Sequence, residues 1–193
     1  MKHVFFFFII IGIAINAFSQ DSIAIYMKPE LRTRMEYRDG FQKLAPENST
    51  GAFFISQRSR LGFGIETSKI KIKFTPQDVR VWGDEQYGNT AGITGNDASV
   101  DLFEAYSEIK LLNNHWISIG RQTLSYDNGW LMSNRNWNQN GIASDAVVLK
   151  LKYDNYSIHA GSSWNTSKVN AYNNYYITSR YKTLNYLWLN RSF

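Results

Sequence analysis

The sequence has no cysteine and only three prolines and three histidines in 193 residues. Without cysteine an exported chain has no disulfide framework and must be held by backbone pairing or packing. One histidine lies in the first few residues, which leaves His115 and His159 for metal or proton chemistry. These two have no metal-ligand spacing, and no G-x-S-x-G nucleophile elbow is present. His159 and Ser162 are three apart, which on a strand directs them to opposite faces. Asp84, Glu85, Asp97 and Asp101 lack the pattern of a calcium loop and read as solvated carboxylates. Neither an enzyme nor a cofactor or metal is therefore expected. Clustered Lys/Arg runs are missing too, which argues against nucleic acid despite a net charge of +5.

The one long apolar run lies at the start. Lys2 and His3 precede an almost unbroken apolar stretch from Val4 to Ile15, and Ala17-Phe18-Ser19 supplies small residues at −3 and −1. This is the layout of a secretory signal peptide over residues 1–19, with Gln20 as the first mature residue. The apolar stretch is shorter than the roughly 20 residues of a spanning helix. Removing it takes away Lys2 and no acid, leaving 20 basic and 16 acidic residues and a charge of +4.

Along residues 20–193 the dominant signal is alternation with a period of two, which marks strands. Leu31, Thr33, Met35 and Tyr37 oppose Arg32, Arg34, Glu36 and Arg38. Phe53, Ile55, Leu61 and Phe63 oppose Ser56, Arg58, Arg60, Gly62 and Gly64. Ile70, Ile72 and Phe74 oppose Lys71 and Lys73. The parity slips around Pro76, so that Val79 and Val81 oppose Asp78, Arg80 and Trp82; a bulge near Thr75–Gln77 is expected, because proline within a sheet is confined to edges and bulges. Phe103, Ala105, Ser107 and Ile109 oppose Glu104, Tyr106, Glu108 and Lys110. Three further alternating runs surround Ile117, Leu149 and Ile158, and an eighth covers Tyr181 to Leu189.

Long connections (Asp39 to Gly51, Gly83 to Val100, Tyr126 to Ala143, Asn165 to Thr178) alternate with tight turns at Thr67-Ser68, Leu112–Asn114 and Asp154-Asn155. Outer-membrane barrels have long external loops and short periplasmic turns. Most strands reach about 9–11 residues, enough for a tilted membrane strand. Tyr, Trp and Phe are abundant, and Trp116, Trp130 and Trp164 suit the membrane interfaces. The expected fold is all-β, an antiparallel transmembrane β-barrel in a bacterial outer membrane. A soluble β-sandwich is the competing architecture.

If the apolar face meets lipid, Arg32, Arg34, Arg38, Arg58, Arg60 and Arg80 line the lumen. Arginine cannot lose its charge, and its planar fork matches carboxylates and phosphates. Such a ladder favours an anion path, as charged rings do in selective pores. Alternatively, the arginines pair internally with Glu36, Asp78, Glu104 and Glu108. Arg121 has lipid-facing parity and requires a place at the outer rim. Arg135 lies in the long loop after Trp130.

Several of these strings resemble the alginate-export outer-membrane porins: Gln57-Arg58-Ser59-Arg60-Leu61, Gln77-Asp78-Val79-Arg80-Val81-Trp82-Gly83, Glu104-Ala105-Tyr106 and Gly120-Arg121-Gln122. The stretch Trp130 to Asp145, with Asn134-Arg135-Asn136-Trp137-Asn138-Gln139, is similar as well. The resemblance runs over roughly residues 30–165. It implies a large barrel with an arginine-lined conduit for an acidic polysaccharide or related anion. Arg58, Arg60 and Arg80 are the lumen arginines it carries over, with Arg34 and Arg135 as further matches. Members of that family close about eighteen strands, within the known range of such barrels. An eight-stranded barrel has a lumen that side chains just fill, and this many arginines in it would bury unpaired charge. The chain therefore reads as the N-terminal part of a larger barrel. Outer-membrane lipid and an anionic solute are the expected partners. The other reading is a barrel whose long external loops bind a surface partner without transport.

Overall fold

A computed structural model describes residues 22–41, 43–83, 100–166, 169, 171–176 and 181–192. Residues 1–19, expected to be a signal peptide, and the carboxylates Asp84, Glu85 and Asp97 lie outside these residues. Eight strands follow one another: β1 (Ala24–Arg38), β2 (Ala52–Glu66), β3 (Ile70–Val81), β4 (Val100–Lys110), β5 (Trp116–Gln122), β6 (Ser144–Lys152), β7 (Tyr156–Trp164) and β8 (Thr183–Arg191). Each pairs antiparallel with its neighbours in one sheet of order β1 to β8. Short turns join β2–β3, β4–β5 and β6–β7, and long connections join the other ends, as the sequence led us to expect. In the first turn the Thr67 hydroxyl accepts from Lys69 N (3.2 Å) and Ile70 N (2.9 Å), closing it without glycine. Among the described residues β1 and β8 pair only with β2 and β7, so the sheet has two open edges.

The two faces are inverted relative to a soluble protein. Buried side chains are mostly polar, among them Arg58 (0 % exposed), Glu104 (4 %), Gln77 and Ser118, whereas Ile25, Leu31, Met35, Ile72 and Leu187 lie exposed. In a sheet of period two, this puts most of the buried polar groups on one face and most of the exposed hydrocarbon on the other. The face with charge is covered by the loop between β5 and β6, residues 123–143. Tyr126 of this loop bonds Tyr186 on β8, while the Asn136 carbonyl accepts from Arg32 on β1. Flat, β1 and β8 would stand roughly 34 Å apart at the usual strand spacing. The loop folds back on itself (Tyr126 N to Met132 O, 3.1 Å), so it reaches both only because the sheet curls around it.

The register shift falls between Thr75 and Pro76, where the bulge is expected, but the extra residue lies on the partner strand. β3 keeps one register against β2 from Glu66↔Lys71 to Ser56↔Val81. The shift is against β4, where Thr75 faces Glu104 and Pro76 faces Leu102, making Phe103 the extra residue. Pro76 has no N–H to give the ladder, and the partner strand absorbs the defect. Two expectations are corrected by this. Phe103 turns to the inner face and is buried beside Glu104. Parity does not slip within β3, so Val79 and Val81 stay on the inner face and Arg80 lies on the outer face, opposite Gln57. Trp116 is likewise internal, opposite Lys110 and Lys150, rather than at a lipid interface.

The outer face changes character along its height. Towards the short turns it is apolar, with Phe63, Ile65, Ile72, Ile119, Val147 and Leu187. A polar patch of Gln57, Ser59, Asp78 and Arg80 follows on β2 and β3, beyond which Met35, Tyr37 and Phe53 stand exposed nearer the long loops. Arg121 pairs with Asp145 there (3.2 Å) and donates to the Leu102 carbonyl (2.8 Å), which resolves its lipid-side parity by a rim position.

Gly120 holds the centre of β5 at φ +124°, where a Cβ would stand 2.4 Å from the Ala105 carbonyl oxygen. Both the backbone angle and the close approach require glycine. Gly120→Ala is expected to lower stability by about 1–3 kcal/mol, read as an earlier denaturant midpoint in detergent. An unchanged midpoint would mean that β4 and β5 do not approach so closely.

Candidate functional site

The site is built from the inner faces of β1 and β2 and the β5–β6 loop laid across them. Arg32, Arg34, Arg58 and Arg60 project inwards because they share the even parity of both strands, and Glu30 lies directly opposite Arg60. The loop is rich in asparagine, a residue that bonds its own backbone and tolerates left-handed turns. The Asn134 Oδ1 accepts from Asn136 N, and the Asn138 Oδ1 accepts from Asn140 N, both at 3.2 Å. Arg135 at φ +45° turns the chain between them. These local bonds aim a row of backbone carbonyls at the arginines.

Each arginine is engaged. Arg58 donates to the carbonyls of Asn138 (3.1 Å), Gln139 (3.3 Å) and Asn136 (3.4 Å), to Asn136 Oδ1 (2.9 Å) and to the Glu30 carboxylate. Arg32 donates to Gln139 Oε1 (2.9 Å) and to the carbonyls of Asn136 and Asn138. Arg34 reaches the Trp137 carbonyl and pairs with Glu36 at 3.7 Å. Arg60 bonds Gln77 Oε1 (2.6 Å) and the Asn140 carbonyl (3.0 Å) and stacks 3.4 Å over the Phe103 ring. The fork that suits a carboxylate therefore meets main-chain oxygens here.

The beginning of the loop is fastened to the opposite wall. Leu124 and Met132 pack on Ala146, Val148, Leu184 and Tyr186. The Tyr126 hydroxyl meets Tyr186 at 2.9 Å and His159 at 3.1 Å, and Trp188 Nε1 donates to the Asp127 carboxylate at 3.0 Å. Burial raises the Tyr126 hydroxyl above the ordinary phenol range, against the lowering from its bond with Tyr186, so it stays neutral. The loop is thus a strap across the inner face, fixed at both ends.

Residues 25–167 match the family model for alginate export. The chain belongs to the alginate export family. No curated protein and no solved structure matches it. Alginate export proteins are a family of outer-membrane transport channels. In this member, Arg34, Arg58 and Arg60 come together with Arg32 under the strap. Arg80 does not join them: it pairs with Asp78 (2.7 Å) on the outer face. Arg135 sits exposed at the bend of the loop, and among the described residues its side chain makes no hydrogen bond or ion pair with the arginine group.

Among the acids expected as internal partners, Glu36 pairs with Arg34 and Arg38, but Glu104 pairs with Lys73 (2.7 Å) and Glu108 with Lys150. Glu30, Gln139 and Phe103 were not anticipated. Glu30 was legible, since it shares the parity of Arg32 and Arg34. Gln139 and Phe103 depend on loop folding and on the bulge, neither of which periodicity encodes.

Proposed function

We propose that this chain forms part of the wall of an outer-membrane channel that passes an acidic polysaccharide of the alginate type. The observation that carries the reading is the inverted sheet, with fixed cations on the inner face and hydrocarbon outside, in a chain of the alginate export family. The long-loop end faces the exterior and the short turns face the periplasm, with residues 1–19 removed on export. A strap of residues 123–143 inside the lumen needs a wider barrel than eight strands enclose. Together with the two open edges, this supports closure by further strands.

The inward strap narrows the path, and the basic side chains beneath and beside it favour polyanions. Protein purified from outer membranes and inserted in planar bilayers should carry mainly anions. Polyuronate should block the current more strongly than uncharged dextran of equal length. Absence of conductance would overturn the channel and favour a barrel whose loops bind a surface partner.

A further inference from the structure

The strap occupies the arginines, which leaves open what on the inner face can hold a passing anion. Below it, towards the short turns, lies a cavity of about 380 Å³, within the range of small-ligand sites. The strand register builds its floor. Lys28, Gly62, Thr75 and Glu104 stand in one row across β1 to β4, and Tyr26, Gly64, Lys73 and Tyr106 in the next. Gly62 gives the floor its depth, because a side chain there would stand in the space between Lys28 and Thr75. Asn134 and Asn136 of the strap line the opposite side.

The polar groups in this cavity are unequally satisfied. Lys73 is paired with Glu104, and Glu30 is held by Arg58 and Arg60. Lys28 has no ion pair among the described residues. Thr75 is 5 % exposed, lines the cavity, and its hydroxyl has no hydrogen-bond partner. An unpartnered buried hydroxyl is costly unless something bonds it. A free ammonium, an orphan hydroxyl and two asparagine amides around a space rimmed by Tyr26 and Phe103 match a sugar ring bearing one carboxylate.

We infer that the cavity beneath the strap is a subsite for a single uronate unit, with Lys28 receiving the carboxylate and Thr75 bonding a ring oxygen or hydroxyl. This rests on the channel reading and moves anion recognition from the arginines to Lys28. The test is block of single-channel current in the complete protein by a short oligouronate added on the short-turn side, compared with an uncharged oligoglucoside. Lys28→Gln should weaken oligouronate block about tenfold, as expected for loss of one charge-assisted bond, and Lys28→Arg should restore most of it. Thr75→Val should weaken block severalfold while leaving the denaturant midpoint unchanged or raised, because it removes a hydroxyl that has no partner in the empty protein. If wild-type current is anionic but both variants keep wild-type block, the subsite is wrong and the channel reading stands. If the uncharged oligomer blocks as well as the uronate, the subsite is equally overturned. If the wild-type channel does not prefer anions, the channel reading itself falls.

Discussion

Replacing Arg58 with methionine is expected to release the β5–β6 strap and open the channel. Arg58 is fully buried and joins Glu30 to three loop carbonyls and the Asn136 amide. Methionine fills much of the volume but supplies no donor, so the Gln139 carbonyl and Asn136 Oδ1 lose the bond from Arg58, and the Asn136 and Asn138 carbonyls keep only Arg32. Glu30 is partly exposed and keeps Arg60 at 3.7 Å, so the loss costs less than the roughly 3–5 kcal/mol of a fully buried pair. The strand cannot move to relieve this, since β2 is laddered on both sides. The loop can, by lifting its carbonyls into water. Single-channel conductance should therefore rise severalfold, and trypsin should cut after the exposed Arg135 in the variant while sparing the wild type. Arg58→Lys should give an intermediate result, since an ammonium keeps the charge but not the fork. A variant with wild-type conductance and protease resistance would mean that the remaining arginines and the aromatic fastening at Tyr126 hold the strap without Arg58.

The balance between those two fastenings explains what could be read from the sequence and what could not. Strand number, order and the alternation of long and short connections follow from period-two patterning, which is a local property of the chain. The inward parity of Arg32, Arg34, Arg58 and Arg60 was legible for the same reason. Arg80 departs from its expected parity because Pro76 leaves its own strand in register and the extra residue is Phe103 on β4. A strand's sequence carries its parity, but a bulge belongs to a pair of strands. The partners of the arginines were hidden for a related reason. They are main-chain oxygens more than seventy residues away, and a carbonyl has no signature in the sequence. What could have pointed to them is the alternation of asparagine at 134, 136, 138 and 140, unusual in a loop that merely faces solvent.

The exposed hydrocarbon on the outer face leads to an expectation that separates a lipid-facing wall from a soluble sheet. Ile72 stands in the apolar part of that face, opposite Ile65 on β2 and Ser107 on β4. It is 45 % exposed, so its outer part meets no protein and little packing is lost when it changes. In water, replacing such a residue by arginine alters stability by about 0.5 kcal/mol or less. In a bilayer the guanidinium must enter hydrocarbon, at a cost of about 2–4 kcal/mol near the midplane that falls to about 0–1 kcal/mol near the interfaces. Thr33 is the internal control. It lies on the same face opposite Gln57, at the level where Arg80 faces that glutamine from β3. Ile72→Arg should therefore lower the unfolding free energy in phospholipid vesicles by about 2–4 kcal/mol, and Thr33→Arg by less than about 1 kcal/mol. Moving the same charge along one face would thus locate the membrane boundary. Equal and small effects at both positions would put the whole outer face in water and turn the apolar surface into an interface between proteins.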